Sequence, residues 1–140
     1  MQHREMTTTT LENKSSVDKG DAMLSRNLGQ SGISVSAIGL GCMGLSEFYG
    51  KHTQASDAIY LLHRAVDLGV THFDTAEIYG QGRNEQLLGK AFAGRWDQIV
   101  LVTKFGPQRD PVTGAFVGVD GSPANVRSSC EKEKWLEKRD

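Results

Sequence analysis

The chain has 140 residues, one domain's worth, with 16 Lys and Arg against 17 Asp and Glu for a net charge of −1. That balance gives no electrostatic basis for a nucleic-acid partner or an anionic membrane surface, and no apolar run approaches the roughly 20 residues of a membrane span. Two cysteines, Cys42 and Cys130, are too few for a disulfide scaffold, so a reduced, cytoplasmic setting is expected.

Residues 1–23 hold Leu11 as their one large aliphatic besides methionines, and a Thr7-Thr8-Thr9-Thr10 run. Such a segment cannot bury enough surface to offset its ordering entropy, so a disordered extension is expected. Its mixed acids and bases fit neither a transit peptide nor a secretory signal. Residues 24–28 and 33–36 flank Gly29-Gln30-Ser31-Gly32 and predict a short hairpin. Residues 37–40 predict a first strand. Thr53 and Ser56 offer N-cap oxygens for a helix whose face carries Ala58, Leu61, Leu62, Ala65, Val66 and Leu68, with Gly69 at its C-terminal stop. Residues 70–74 predict a second strand. Asn84 is a candidate cap for a second helix that buries Leu87, Leu88, Ala91 and Phe92 and stops at Gly94. Residues 99–103 predict a third strand, apolar nearly throughout. Residues 106–121 read as a glycine-rich loop, and Ser122-Pro123 as a helix start.

Strand starts near 37, 70 and 99 are a βα unit apart, which predicts a parallel sheet with right-handed crossovers. The chain after residue 23 suffices for about half of the ~250 residues in a closed eight-unit barrel.

Gly39-Leu40-Gly41-Cys42-Met43-Gly44 matches the spacing of a dinucleotide fingerprint. That motif needs a helix opening inside the glycine turn, and here residues 45–51, with Tyr49-Gly50 among them, intervene. Asp74 also lies 30 residues past Gly44, where about 20 is usual. A glycine loop at a strand end, open to close backbone approach, is the better reading. No metal site is expected.

Asp74 ends the second strand and Lys104 follows the third, so their side chains can meet at one rim, neighbouring strands being about 4.8 Å apart. The carboxyl rim of a parallel α/β array is where catalysis resides. Tyr79 lies five residues past Asp74. A phenol is a weak acid at neutral pH unless a cation stabilises its phenolate, and Lys104 can supply one, with Asp74 orienting it. A rim ion pair beside an exposed tyrosine explains the same spacing without catalysis.

Residues 24–132 resemble the aldo-keto reductase family. Leu28-Gly29-Gln30-Ser31-Gly32-Ile33-Ser34-Val35-Ser36 is similar to its N-terminal hairpin, and Ile38 to Gly44 to its first strand and loop. Phe73-Asp74-Thr75-Ala76-Glu77-Ile78-Tyr79-Gly80, followed by Asn84-Glu85 and Leu88-Gly89, resembles the family signature. Thr103-Lys104-Phe105-Gly106 is similar to its lysine strand. The resemblance implies an α/β fold, the N-terminal portion of a (β/α)8 TIM barrel with a hairpin before it. It implies hydride transfer from NADPH to a small aldehyde or ketone, with Tyr79 as proton donor, Lys104 lowering its pKa and Asp74 paired with Lys104. Gly41, Cys42 and Met43, with Asp74, would lie near the nicotinamide end of the cofactor.

The family also uses a histidine at the end of the next strand. The histidines here, His3, His52, His63 and His72, all precede Lys104, and His63 and His72 read as structural. Residues 122–132 resemble the next helix start, with Val126 and Cys130 on one face. Continuing that face places Lys134 and Glu137 where aliphatics are expected, and residues 133–140 read as a divergent charged tail. The expectation is therefore an incomplete barrel, inactive alone, prone to self-association through unpaired strand edges. The alternative is a non-catalytic remnant serving as a binding or interaction module.

Overall fold

The computed structural model describes residues 23–46 and 53–133. The expected disordered extension, the charged tail, Tyr49, His3 and His52 lie outside the described residues, apart from Met23 and Glu133.

The hairpin is present as β1 (Ser25–Asn27) and β2 (Ser34–Ser36), antiparallel, with Arg26 opposite Val35. Its turn needs left-handed backbone, and Gly29 and Gly32 supply it at φ +57° and +77°. Ser36 ties the hairpin to the rest of the fold. Its amide donates to Thr71 Oγ1 at 2.8 Å, and the Thr71 amide donates back to Ser36 Oγ at 3.0 Å.

Three short parallel strands follow in spatial order β3 (Leu40–Gly41), β4 (His72–Asp74) and β5 (Val100–Val102). Leu40 pairs with Phe73 and Phe73 with Leu101. Helices α1 (Ala55–Asp67) and α2 (Arg83–Ala91) make the crossovers. The βα repeat and the parallel sense are as the spacing predicts. Because Thr71 precedes β4, the hairpin docks at the amino end of the sheet, opposite the rim that carries Asp74.

The core is one cluster. Leu62 of α1, Leu88 and Ala91 of α2, Phe92, Phe73 and Cys42 are buried together. The Phe73 and Phe92 rings lie 4.7 Å apart and tilted, and Trp96 stands edge-on to Phe92 at 6.1 Å. His63 bridges the helices through Nε2, 2.6 Å from the Ala91 carbonyl oxygen. The His72 ring packs at Gly39, where an added Cβ would sit 3.0 Å from Nδ1. Both histidines are structural.

Several boundaries differ from the expectation, each for a local reason. The second strand starts at His72 because the Val70 amide bonds to Ala65 O at 3.0 Å and Gly69 N to Val66 O at 2.8 Å, a two-bond helix stop with Gly69 at φ +89°. The first strand starts at Leu40 because Ser36 Oγ turns the chain by donating to Ile38 O at 2.7 Å, leaving Ile38 exposed. Neither Thr53 nor Ser56 caps α1; Gln54 holds that position without a side-chain bond. Leu61 and Leu68 are exposed, so the buried stripe of α1 is narrower than its spacing predicts. Asn84 does not cap α2 either. Gly82 does, at φ +82°, and Asn84 falls two residues past it, inside the first turn, with its side chain buried.

The predicted loop at 106–121 is instead a second antiparallel hairpin, β6 (Pro107–Arg109) and β7 (Phe116–Val119), bulged between Gln108 and Arg109. Asp110 organises its turn: Oδ1 accepts from the amides of Val112 (2.9 Å) and Thr113 (2.7 Å) and from Thr113 Oγ1 (3.0 Å). Helix α3 (Pro123–Glu133) starts where Ser122-Pro123 predicts, with the Asn125 amide donating to Ser122 Oγ at 3.2 Å. Its buried side chain is Ser129, not Cys130, which is exposed. Among the described residues, no helix is long and apolar enough to cross a membrane.

Candidate active site

The carboxyl ends of β3, β4 and β5 form one rim, with Gly41 opposite Asp74 and Asp74 opposite Val102. Phe73 points into the helix layer, so strand alternation turns Asp74 to the other face. Lys104 follows β5 by two residues. Its Nζ donates to Asp74 Oδ1 at 2.5 Å and to the Thr75 carbonyl at 2.6 Å. Both side chains stay almost half exposed, Lys104 at 44% and Asp74 at 45%, so the pair faces an approachable surface.

The Tyr79 loop folds back over this pair. Glu77 N donates to Lys104 O at 3.0 Å, Tyr79 N to Ala76 O at 3.0 Å, and Gly82 N to Glu77 O at 2.9 Å. The Lys104 ammonium then stands 5.2 Å from the Tyr79 ring centroid. Partial burial alone would lower the Lys104 pKa. The hydrogen bond and charge of Asp74 outweigh it, Tyr79 adds to them, and the net effect raises it above 10.5. Lys104 is thus a fixed cation at neutral pH. Asp74, Tyr79 and Lys104, which their spacing allows to meet at one rim, come together in the structure.

The first loop is partly as expected. Gly41 is exposed, with nothing within 4 Å of where a Cβ would be. Met43 is half-buried and opens a single 3-10 turn, Met43–Leu45. Cys42 is buried, and burial pushes its thiol up to about 12. Only its backbone can meet a ligand, and its amide already donates to Asp74 O at 2.8 Å. The first α-helix among the described residues begins at Ala55, so among them no α-helix N-terminus faces that glycine turn.

Two polar side chains lie beneath the rim, Asn84, which the sequence offers as a helix cap, and Glu85, which it offers only as part of the family signature. Asn84 is fully buried; its Oδ1 accepts from Thr75 Oγ1 at 2.7 Å, and its Nδ2 donates to Cys42 O and to Ser46 Oγ, both at 2.8 Å. Glu85, 3% exposed, accepts from Thr103 Oγ1 at 2.6 Å. Burial raises the Glu85 pKa, the Thr103 hydroxyl opposes that, and the charge of Glu77 adds to it. The signal was readable: Asn84 and Glu85 stand four and three residues before Leu88, on the face the helix must bury.

A cleft of about 430 Å³ lies outside the rim, lined by Glu77, Glu85, Gln108, Arg109 and Lys132 among others. Tyr79, Asp74 and Lys104 are not among its lining residues. There Glu77 accepts from Ser129 Oγ at 3.0 Å and pairs with Lys132 Nζ at 3.1 Å, which docks α3 on the Tyr79 loop.

Residues 37–134 match the model of the aldo/keto reductase family, most of the chain. The chain belongs to this family. Among solved structures, the holo form of an aldo-keto reductase from Bacillus halodurans is 34% identical, with a TM-score of 0.72, covering 82% of this chain and 37% of its own. An aldo-keto reductase from Klebsiella pneumoniae in complex with NADPH is 31% identical, with a TM-score of 0.56, covering 74% of this chain and 32% of its own. This aldo/keto reductase chain therefore spans about a third of the length of these relatives. The shared part is α/β, with parallel strands and crossover helices like part of a TIM barrel.

Proposed function

We propose that this rim serves reduction of a small aldehyde or ketone to its alcohol with NADPH, and that Tyr79 is the proton donor. The observation that carries the reading is Lys104, held by Asp74 and placed against the Tyr79 ring. A cation fixed beside the phenol stabilises negative charge that develops as the proton passes to a carbonyl oxygen. Asp74 fixes the cation where the charge develops, before any substrate arrives.

The residues at the nicotinamide end fit a flat ring. Gly41 leaves open space beside Asp74, and the Cys42 thiol is withdrawn into the core. The cofactor, when bound, supplies the hydride to the carbonyl carbon. The chain's own part is to hold the substrate at this rim and to deliver the Tyr79 proton to the carbonyl oxygen. The phenolate left on Tyr79 regains a proton from water. Both cysteines among the described residues are free thiols, which supports a reduced, cytoplasmic setting.

The test is NADPH oxidation on addition of an aldehyde, with wild type and Tyr79→Phe compared. Equal rates in the two would overturn the assignment of Tyr79.

A second reading, an interaction module, is favoured by one observation. Among the described residues, β3 and β5 are each hydrogen-bonded to a strand on one side only. Self-association would occupy those edges.

A further inference from the structure

Two consecutive residues of α2 hold the two strand ends that carry the rim pair. Asn84 bonds to the hydroxyl of Thr75, the residue after Asp74, and Glu85 bonds to the hydroxyl of Thr103, the residue before Lys104. The same helix start is continuous with the Tyr79 loop, and the Asn84 amide donates to Tyr79 O at 3.3 Å. Asn84 further reaches the first loop through Cys42 O and Ser46 Oγ.

We infer that Asn84 and Glu85 are positioning residues, a two-point clamp that sets the placement of Tyr79 relative to Lys104 and Asp74. The inference rests on the proposed reduction chemistry for its catalytic meaning, and on the hydrogen-bond geometry for its physical content.

Burial is the reason to assign the pair a role beyond filling space. A buried amide or carboxyl costs stability unless its partners are in place, and apolar residues would pack the same helix face without that demand. Asn84 Oδ1 and Nδ2 are both engaged, with three partners on two separate segments. A network satisfied in only one arrangement fixes that arrangement. Thr75 is the critical joint. Its hydroxyl is held by Asn84 while its carbonyl accepts the Lys104 ammonium at 2.6 Å, so a shift of Thr75 moves one of the two oxygens holding Lys104. Thr103 is the matching joint, just after β5. A shift there moves the root of the lysine stem.

The clamp explains why polar residues occupy positions where the helical stripe asks for aliphatics. It also gives α2 a part in the site although none of its side chains reaches the exposed rim pair.

The test uses the full chain with lysine labelled by ¹³C at Cε, so that Lys104 can be titrated by NMR whether or not turnover is measured. Thr75→Val and Thr103→Val remove each hydroxyl at nearly constant volume. Each should move the Lys104 titration down by about half a pH unit or more, as its hold on Asp74 and Thr75 O loosens. In turnover, each should lower kcat by about 10- to 100-fold with KM little changed, the result of misplaced groups. Thr75→Ser and Thr103→Ser keep the hydroxyl and should restore both readouts, which a packing role for the methyl group would not give. Should a valine variant fail to fold, Glu85→Asp shortens the acceptor arm while keeping its carboxyl group, and should shift the Lys104 titration in the same direction. Folded valine or Glu85→Asp variants with an unchanged Lys104 titration would overturn the clamp. A chain without NADPH-linked reduction whose Lys104 titration still answers to these variants would overturn the proposed chemistry and leave the clamp standing.

Discussion

Lys104 holds Asp74 and Thr75 with one ammonium group, one contact through a carboxylate and the next through the adjoining carbonyl. Two consecutive residues at the end of β4 thus fix a single cation from the segment after β5, and the cation faces Tyr79 at 5.2 Å from the ring centroid. In the proposed reduction the pair serves Tyr79, the residue assigned as proton donor.

That residue gives the first prediction. Tyr79→Phe keeps the ring over Lys104 and removes the acidic proton. Carbonyl reduction should fall by about 10² to 10⁴-fold, with NADPH affinity nearly unchanged. Turnover assays paired with fluorescence titration of the cofactor check it. A Phe variant with more than about half of the wild-type turnover would take Tyr79 out of the mechanism.

Asp74 should matter to stability in a pH window set by Lys104. The folded pKa of Lys104 is raised above 10.5, chiefly by Asp74 acting against the effect of burial. A raised lysine pKa contributes stability that is fully present below 10.5 and is lost as pH climbs through the folded value. The pair is nearly half exposed, so the contribution is at most about 1 kcal/mol. Thermal melts of wild type and Asp74→Asn should therefore differ by a small, constant gap at neutral pH. The gap should close in strongly alkaline buffer. A gap that widens there would reverse the assigned sign.

The two thiols should behave oppositely. Cys130 is exposed, whereas Cys42 is buried with its pKa pushed up to about 12. Because the thiolate is the reactive form, mild alkylation of the folded chain should modify Cys130 quickly and leave Cys42 intact until denaturant is added. Mass spectrometry of the digested chain reads both sites. Rapid labelling of Cys42 would mean that the first loop opens, and would return its side chain to the surface facing a ligand.

The rim was legible in the sequence because its parts are local. Lys104 follows a nearly apolar run of strand length, Asp74 closes a strand-length segment that begins after Gly69, and neighbouring parallel strands align such ends. Tyr79 follows by chain continuity. Asn84 was misread because a cap and a buried network use the same residue type; three left-handed residues in succession, Gly80, Gln81 and Gly82, delay the helix and carry Asn84 past the cap position. The β6–β7 hairpin was hidden by Pro107, Gly114 and Gly118, residues that weaken a strand when read singly. Its turn is fixed by the Asp110 carboxylate, and that choice depends on geometry rather than composition. On α3 the error was one of phase. Ser129 faces inward because it meets Glu77, a partner 52 residues away that no local period encodes.

The edge of β5 gives the last prediction. Val100 N bonds to Thr71 O at 2.6 Å and Val102 O accepts from Thr75 N at 2.8 Å, so both residues face β4. In a parallel strand the backbone groups of the intervening residue point the other way. Leu101 therefore presents its amide and carbonyl to the outer edge, where, among the described residues, no further strand lies. Such an edge pairs readily with another chain. Hydrogen exchange followed by NMR over a concentration series should show the Val100 amide protected throughout. The Leu101 amide should exchange fast in dilute solution and become protected as concentration rises, in step with a growing hydrodynamic size. A Leu101 amide that stays fast at all concentrations, in a chain that remains monomeric, would remove self-association through β5. A Leu101 amide that is slow at every dilution would mean that this edge is already covered within one chain, and would equally exclude it as the contact between copies.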